Sequence, residues 1–570
     1  MKDTNQRLFL AIAIWLACIF GYYTWFAPKK AAQAPAGQTS AASQSPTPAV
    51  QPPVAAAPET PVPAAAAAPS NVPRGTTPAP PPREVVFETS RARIVATSQG
   101  ASIKSIQLLG DKWTRHKGKK EESHLDLVGE HAGEPFPFST AIKVAGAEVF
   151  PANEPYQLVK QDATSATFRA ERGGVTLTKT LSVNPDNYGI NLAVEVRSAT
   201  PLAGQLWIEA GVHAQEPSGG LFASRTNTPS QAICLEPNKT KPERLAIGAK
   251  HPEFEVAGAQ FVGIDEQYFL TAVLPPAGVT ASCRLEAHGE KTGSLIASLV
   301  VPLQGTEAHL SLKGYGGPKD EPDLVAVAES LKHSIDFGFW SVIAELLLWI
   351  MKFFQRMVHN WGAAIVLLTV AMKILTFPLQ HKSMKSMQEM QRIQPQLDEL
   401  KKKYAGDTQR QNLEQMKLFK EHGVNPMGSC LPMLIQMPIW FALYTTLQVS
   451  VELYNAPFIP GWIDDLTAKD PYYILPVAMG ITMILTQVLT PTPMSNPSQK
   501  TMGYVMSGFF SLLMLTLPSG LTLYIFTNNI LSIAQQMYLR RALPAPPAKG
   551  QTIEVKPGSG SGEGRAKIRA

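Results

Sequence analysis

The sequence predicts a multi-pass α-helical membrane protein, with six transmembrane helices, that also carries a large all-β domain outside the cytoplasm. Three observations support this fold class. Six apolar stretches approach the roughly 20 residues that a bilayer crossing needs. Between the first and second of them, a long polar segment shows short runs of alternating apolar and polar residues, as in strands. Lys and Arg are concentrated in the connections that would then face the cytoplasm.

The first apolar stretch covers residues 8–26 and follows the basic residues Lys2 and Arg7. A cleaved signal peptide is one interpretation, but its apolar region is usually only about 7–15 residues long. Aromatic residues at the far end of the stretch are typical of a membrane interface. We therefore interpret residues 1–27 as an uncleaved transmembrane anchor with its N-terminus inside. Residues 28–83 are rich in Ala and Pro with few charges, which predicts a semi-extended linker.

Residues 84–318 are predicted to form a large antiparallel β-sandwich. Apolar and polar residues alternate along 176–183, for example, as in a strand with one wet face. Cys234 and Cys283 lie in this domain and could pair if it is exported, and the sequence leaves that pairing open. No phosphate-binding loop, metal-binding helix or nucleophile elbow is found here, so neither a cofactor nor a metal is expected.

The segment 323–359 contains an apolar helix with a narrow polar stripe. At about 100° per residue, five polar side chains fall within about 60° of one another on this helix. They are Ser341, Glu345, Lys352, Arg356 and His359. A membrane-spanning helix would have to bury Glu345 and Lys352 near its middle. We therefore favour an amphipathic helix that lies in the membrane interface over a transmembrane one.

The second transmembrane helix is predicted at residues 360–381, and four more follow within residues 425–541. The four later apolar stretches cover 428–449, 472–490, 502–517 and 519–538. A tight turn at Leu517-Pro518-Ser519-Gly520 separates the last two of them.

The distribution of charge predicts the orientation of these helices. Nine Lys and Arg residues lie in 382–424, whereas the loop 450–471 carries four acidic residues and one Lys. The tail 542–570 is again basic and rich in Gly. The positive-inside rule therefore places 382–424 and the C-terminus in the cytoplasm, and an even number of spans places the N-terminus there too.

The cytoplasmic segment 382–424 is predicted to be a helical hairpin. Apolar residues recur at spacings of three and four in two arms, which Ala405-Gly406-Asp407 separates. The apolar positions are Met384, Met387, Met390, Ile393, Leu397, Leu400, Tyr404, Leu413, Met416 and Phe419. The basic outer face has two interpretations, a solvated surface or a docking surface for a partner.

Lys373 lies inside the apolar stretch 361–381, where a cation costs at least ~2.5 kcal/mol on insertion scales. It is about eight residues from the polar flank at His381, which corresponds to a depth of roughly 12 Å. Either the side chain snorkels outward along its own stem, or it faces a polar cavity within the helix bundle.

Further polar residues in the predicted spans favour such a cavity, open to the cytoplasm. A single Asn or Gln in a span often only joins helices by hydrogen bonds. However, the five core stretches contain no Asp or Glu to pair with Lys373. In a low dielectric, an unpaired cation would attract an acidic segment strongly. The predicted site residues are Lys373, Thr369, Gln436, Gln487, Thr522, Tyr524, Asn528, Asn529 and Gln535.

Four motifs point to one protein family. Residues 425–438 read Asn-Pro-Met-Gly-Ser-Cys-Leu-Pro-Met-Leu-Ile-Gln-Met-Pro. Residues 518–524 read Pro-Ser-Gly-Leu-Thr-Leu-Tyr, and Asn529, Gln535 and Gln536 follow. Asn360-Trp361-Gly362 and the run 471–476 open the second and fourth spans. In these motifs, and in its whole layout, the chain resembles the YidC family of membrane protein insertases in its Gram-negative form.

This resemblance implies a fold and a function. The expected fold is a five-helix insertase core, an N-terminal anchor and a periplasmic supersandwich similar to sugar mutarotases. The expected function is insertion, folding and assembly of inner-membrane proteins through a cytoplasm-open hydrophilic groove, without enzymatic chemistry. The implied partners are nascent membrane proteins, the lipid bilayer, the SecYEG translocon and, through the hairpin and basic tail, the ribosome. No nucleic-acid substrate is expected, and the implied location is the bacterial inner membrane.

Two departures from the family pattern concern the groove. The family carries an arginine in its second span where this chain has Lys373, so the positive charge is kept but the bidentate fork is lost. The family often has a second aromatic residue after the position of Tyr524, where this chain has Ile525. Client contacts of that aromatic residue therefore do not transfer to this chain.

The sequence leaves two other functions open. A solute transporter could use Lys373 as an anion site, but the core spans show no internal repeat of the kind that transporters usually have. A membrane-tethered sugar enzyme built on residues 84–318 would need an acid/base pair in a cleft.

Overall fold

The computed structural model describes residues 82–117, 121–128, 135–215, 230–289, 293–423, 431–489 and 497–542. The predicted anchor, nearly all of the linker and nearly all of the basic tail lie outside these residues.

Eighteen strands follow one another in the part of segment 84–318 that the structure describes. Those of the first half are β1 Glu84–Glu88, β2 Ala92–Thr97, β3 Ser102–Leu108, β4 Thr114–Lys117, β5 Glu121–His124, β6 Thr140–Val144, β7 Ala147–Phe150, β8 Gln157–Gln161 and β9 Ser165–Arg172. Those of the second half are β10 Val175–Val183, β11 Gly189–Gln215, β12 Gln231–Leu235, β13 Glu243–Leu245, β14 Glu253–Ala257, β15 Phe261–Asp265, β16 Phe269–Leu274, β17 Ser282–His288 and β18 Gly293–Pro318.

These strands form an antiparallel sandwich, which confirms the predicted β domain. A 13-stranded sheet runs in the order β13-β12-β15-β16-β18-β11-β10-β9-β8, with β6, β7, β14 and β17 paired off this path. The long strands β11 and β18 pair along most of their length and form its centre. A three-stranded sheet, β1-β2-β3, shares one apolar core with the large sheet, and β4 pairs with β5.

Lys179 occupies an inward position of the sandwich core. Every second residue of β10 is buried, as the alternation predicts, and Lys179 lies in that inward row between Leu177 and Leu181. Its Nζ donates hydrogen bonds to the carbonyl oxygens of Gly100, at 2.8 Å, and Phe138, at 2.7 Å. Burial lowers the pKa of Lys179 well below its usual value, because a charged amine is poorly solvated there.

Glu209 is a second buried ionisable group of the sandwich. It lies on β11 opposite Ser298 of β18, and Ser298 Oγ donates a 2.7 Å hydrogen bond to its carboxylate. Burial raises the pKa of Glu209 to about 7. The folded protein therefore holds a proton between roughly pH 4.5 and 7 that the unfolded chain releases.

We expect Glu209→Gln to remove one pH-dependent part of the stability. The wild-type contribution is fully present below about pH 4.5 and is lost as the pH rises through 7, a change on the order of 3 kcal/mol. Gln keeps an oxygen that accepts from Ser298 but cannot ionise. Thermal unfolding at pH 5 and pH 8 should therefore show a larger loss of Tm in the wild type than in Glu209→Gln. The exposed Glu171→Gln is the control, and equal losses in all three proteins would contradict the assignment.

A disulfide joins Cys234 of β12 to Cys283 of β17, and both residues are fully buried. The structure thus decides a pairing that the sequence left open. The two strands are not hydrogen-bonded neighbours in the sheet, so the bond closes a 49-residue separation across it. Bonds of this kind typically stabilise a domain by ~2–4 kcal/mol.

Nine α-helices follow the sandwich within the described residues. They are α1 Glu321–Val327, α2 Ser341–Val358, α3 Trp361–Arg392, α4 Gln394–Lys403, α5 Thr408–Glu421, α6 Leu431–Val449, α7 Ile474–Leu489, α8 Pro497–Met514 and α9 Ser519–Ala542. Helix α9 packs on α3, α6 and α7, and α3 also packs on α6. Helix α2 packs on α3 and α6, and α8 packs on α7.

By length and composition, one helix of the described residues qualifies as a membrane crossing, over Trp361–Met387. Two shorter apolar helices cover Ile474–Leu489 and Thr501–Met514. The helix over Trp361–Met387 coincides with the predicted second span, while the count of six spans stays a prediction.

Helix α3 continues past residue 381, where the sequence predicted the end of a span. It runs without interruption to Arg392, and its last turns form one arm of the hairpin with α4. Asp407 caps α5 by accepting a 2.9 Å hydrogen bond from the backbone N of Arg410.

The hairpin core is smaller than the apolar pattern predicts. Leu418 and Phe419 of α5 pack on a cluster of Met390, Ile393 and Leu397. Leu413 and Met416 instead lie outside this cluster. They are 56% and 60% exposed.

Helix α2 has distinct faces. Ala344, Leu347 and Met351 are buried against the helix bundle. An apolar row on the opposite side is more than half exposed and consists of Val342, Leu346, Trp349, Phe353 and Met357. At 100° per residue, the polar stripe predicted from the sequence falls between these two rows around the circumference of the helix.

Candidate functional site

Lys373 lies at the seam between α3 and α9, and its side chain is half-buried. Its Nζ donates a 2.8 Å hydrogen bond to Ser532 Oγ on α9. Ser532 Oγ in turn donates to the carbonyl oxygen of Asn528, one turn earlier, at 2.7 Å. The ammonium group is thus bound to a neighbouring helix rather than extended along its own.

A polar stripe runs along α9 on the side of Ser532. At 100° per residue, its members fall on one face of the helix. They are Asn528, Asn529, Ser532, Gln535 and Gln536. Ser532 was not among the predicted site residues, although its spacing of i+4 from Asn528 and i−3 from Gln535 places it at the centre of the stripe. The periodicity of the polar residues was the signal that could have identified it.

Gln436 and Tyr524 form a second polar contact, between α6 and α9. Gln436 Nε2 donates to the Tyr524 hydroxyl at 3.3 Å. Tyr524 is buried and Gln436 half-buried. Pro438, within α6, has no backbone N–H, which leaves a carbonyl of the preceding turn without its usual donor.

Gln487 and Asn529 make contacts with α8 and α7. Gln487 Oε1 accepts a 2.9 Å hydrogen bond from Ser507 Oγ of α8. Asn529 Nδ2 approaches Thr482 Oγ1 of α7 at 3.5 Å. Gln487 therefore joins α7 to α8, whereas Asn529 joins the polar stripe of α9 to α7.

Thr369 and Thr522 are buried and bonded to their own helices. Thr369 Oγ1 donates to the carbonyl oxygen of Ile365 at 2.7 Å, and Thr522 Oγ1 donates to that of Pro518 at 3.2 Å. Both hydroxyl groups therefore donate their protons to backbone carbonyl oxygens of their own helices. Gln535 differs, because its Nε2 atom is buried without a hydrogen-bond partner among the described residues.

The site offers charge and hydrogen bonds rather than covalent chemistry. The predicted spans that form it contain no Asp or Glu. No group of His, Cys, Asp and Glu side chains suited to a metal ion occurs within the described ranges. The site thus consists of the Lys373 ammonium group within the helix bundle and the side-chain amides along α9.

Comparisons with known proteins agree with this architecture. A profile of the YidC periplasmic domain matches residues 84–350, and a profile of the 60Kd inner membrane protein matches residues 353–546. Membrane protein insertase YidC of Anaeromyxobacter sp. (strain Fw109-5) is 42% identical over 467 residues, which cover 79% of this chain and 83% of that protein. Membrane protein insertase YidC of Geobacter metallireducens is 33% identical over 561 residues, which cover 96% of this chain and 100% of that protein.

This chain belongs to the YidC family of membrane protein insertases. A solved structure of an active YidC insertase with its first transmembrane domain resolved is also similar, at 19% identity and a TM-score of 0.34, over 79% of this chain and 91% of that one. Family membership makes the chain an inner-membrane insertase, not an enzyme. Its substrates are newly made membrane proteins, its surroundings are the bilayer, and its β-sandwich is the periplasmic domain.

The motif that opens the last YidC helix has a structural role here. Ser519 N donates to the carbonyl oxygen of Ala468 at 2.7 Å, and Gly520 N donates to that of Leu466 at 2.9 Å. Ser519 Oγ donates to the carbonyl oxygen of Asp465. The Pro-Ser-Gly turn therefore anchors α9 on the loop that connects α6 and α7.

The same loop joins the YidC core to the periplasmic sandwich. The Tyr454 ring lies among the rings of Trp113, Tyr268 and Phe269, with centroid distances of 5.3–5.7 Å. Polar contacts surround these rings. Two of them cross to the sandwich, Gln267 Nε2 to the Gln448 carbonyl oxygen at 2.8 Å and Asn455 Nδ2 to the Lys112 carbonyl oxygen at 2.8 Å. The third, Lys352 Nζ to Glu452 Oε1 at 2.6 Å, joins α2 to the loop.

Proposed function

We propose that Lys373 and the polar stripe of α9 line a hydrophilic groove, open to the cytoplasm, that holds the polar tail of a client during insertion. The observation that carries this proposal is the Lys373 ammonium group bound to Ser532 within the bundle. Asn528, Asn529 and Gln535 extend the polar surface from that point along α9. A cation in a medium of low dielectric attracts an acidic tail more strongly than it would in water.

The other predicted site residues have two roles in this proposal. Gln436 and Tyr524 extend the groove toward α6, since their side chains meet there. Thr369, Thr522 and Gln487 shape its walls, since their polar atoms are bonded within or between the supporting helices.

Client release needs no chemical energy source. The tail is held part-way across the membrane while the apolar stretch of the client moves into lipid along the outer faces of α6 and α9. Transfer of apolar surface out of water supplies the driving force, at ~25 cal/mol per Å².

The membrane topology proposed for this chain has six spans, with both termini in the cytoplasm. The basic hairpin of α4, α5 and the end of α3 then faces the cytoplasm, as the positive-inside rule requires. Helix α2 lies in the periplasmic interface. This placement is supported by its faces, because the buried row packs on the bundle, the exposed apolar row contacts lipid, and the polar stripe faces water.

Partners beyond the client are proposed on the same basis. The SecYEG translocon is the proposed partner for clients with large translocated domains, while small clients are inserted without it. The ribosome is the proposed partner of the basic hairpin and tail, whose Lys and Arg residues suit a polyanionic surface.

The proposal predicts that insertion depends on the charge at position 373. We expect purified protein in liposomes to insert a small single-span client with an acidic N-terminal tail. Lys373→Arg should insert the tail as the native protein does, because the charge is kept. Lys373→Ala should lose most insertion, on the order of tenfold, because the attraction for the tail is lost. Protection of the client tail from added protease measures the outcome.

Two results would contradict this prediction. Equal insertion by all three proteins would make Lys373 a tolerated residue with no role in client binding. No insertion by native protein in sealed liposomes would favour a translocon-dependent role. A solute transporter with a cationic anion site is the alternative function, and it requires substrate flux through the same vesicles.

A further inference from the structure

The Lys373 ammonium group has a defined position within the helix bundle. A lysine that snorkels directs its ammonium along its own helix toward the nearest interface. Lys373 instead crosses to α9, where Nζ lies 2.8 Å from Ser532 Oγ. The ammonium group is therefore hydrogen-bonded to a residue of another helix.

The hydroxyl of Ser532 is oriented as an acceptor for that ammonium group. A serine hydroxyl has one proton to donate and two lone pairs that accept. Ser532 Oγ donates its proton to the carbonyl oxygen of Asn528 at 2.7 Å. Since the proton is used there, the lone pairs are available for Lys373.

Ser532 suits a lysine at this position. An ammonium group is a compact charge with three donors, whereas the planar guanidinium group of arginine presents a rigid fork. One acceptor oxygen therefore fixes the place of the Lys373 charge and leaves two N–H donors for other groups. The spans around it supply no carboxylate to neutralise it.

We propose that Ser532 is a positioning residue, which holds the Lys373 charge at the α3–α9 seam so that its remaining donors receive an acidic client segment. This inference rests on the proposed groove and adds the residue that sets where its charge lies. Without Ser532, the flexible lysine stem is free to extend toward the cytoplasmic interface.

The first test measures where the amine lies, independently of insertion. Full-length protein in nanodiscs is treated with a water-soluble acylating reagent, and acylation of Lys373 is compared with that of Lys382 by peptide mass spectrometry. In Ser532→Ala we expect relative acylation of Lys373 to rise about tenfold, because a hydrogen bond to a charged group is lost. Ser532→Thr should restore the native value. Ser507→Ala is the matched control, since Ser507 bonds to Gln487 instead.

The second test measures client insertion in liposomes. Ser532→Ala should lower insertion of the acidic-tail client several-fold and leave a client with a neutral tail unaffected. Lys373→Met should lower insertion of the acidic-tail client further. The double variant should equal Lys373→Met alone, because a residue that acts only through Lys373 has no effect once the charge is gone.

The possible outcomes distinguish the positioning role of Ser532 from the proposed groove. Unchanged acylation of Lys373 in Ser532→Ala would overturn the positioning role. If acylation of Lys373 rises in Ser532→Ala but client insertion does not change, the proposed importance of Ser532 for clients is overturned. An additional loss in the double variant would show that Ser532 acts independently of Lys373, which also overturns the proposal. If acylation changes as expected but the native protein inserts no client, the groove proposal fails while the Lys373–Ser532 contact stands.

Discussion

Tyr454→Ala is expected to release the periplasmic sandwich from the membrane core. The Tyr454 ring is held among Trp113, Tyr268 and Phe269, and Val451 beside it is buried in the sandwich core. Truncation of a packed aromatic residue to Ala costs about 3 kcal/mol. Opening at this contact should therefore become roughly a hundredfold more frequent.

Hydrogen exchange in full-length protein measures that opening. The amide of Tyr454 is protected by a bond to the carbonyl oxygen of Val451, and the amide of Ala456 by a bond to that of Leu453. We expect both amide protons to exchange with solvent faster in Tyr454→Ala. Tyr472→Ala is the control, since Tyr472 is 63% exposed. Unchanged exchange would show that the hydrogen bonds of Gln267 and Asn455 hold the sandwich without the ring.

Gly362→Ala is expected to destabilise the membrane core. A Cβ atom at this position would lie 2.2 Å from the Phe458 ring. Rotation of the ring alone would not relieve the clash, because the Cβ atom of Phe458 also lies 2.6 Å from the added Cβ atom. The backbone of Phe458 is held in turn, since Asn360 Nδ2 donates to its carbonyl oxygen at 3.0 Å. Overpacking of this kind costs ~1–3 kcal/mol, and it exceeds the ~1 kcal/mol that a helix gains when Ala replaces Gly.

Gly508→Ala provides the matched control for this prediction. Gly508 also lies in a core helix, α8, but nothing lies within 4 Å of the added Cβ atom. The Tm of the detergent-solubilised protein should fall by several degrees in Gly362→Ala and stay level or rise in Gly508→Ala. Equal values of Tm in the two variants would mean that the loop carrying Phe458 yields to the extra methyl group.

Local patterns predicted the sandwich and the hairpin because their periods are intrinsic to strands and helices. The alternation along β10 places Leu177 and Leu181 inward, and the break at Ala405-Gly406-Asp407 separates two helices. The same alternation places Lys179 inward, but its partners could not be predicted in this way, since they are the carbonyl oxygens of Gly100 and Phe138, far away in sequence.

The candidate site shows the same division between local and long-range information. Lys373 stood out because a cation is rare in an apolar stretch. Ser532 did not, since a serine is tolerated at any depth and its contact with Lys373 spans 159 residues of sequence. Only the periodic polar stripe of α9 marked Ser532 in the sequence. The junction through Tyr454 had no such signal, because only the folded chain places that ring beside Tyr268.

The redox state of Cys234 and Cys283 reports whether the sandwich of a given molecule has crossed the membrane. The disulfide between them forms in the oxidising periplasm and not in the reducing cytoplasm. Molecules whose sandwich has crossed the membrane therefore carry a cystine, and molecules whose sandwich stayed behind carry two thiols. Thiol alkylation of whole cells at successive times would count the two populations and give the rate at which this insertase is itself delivered to its final topology.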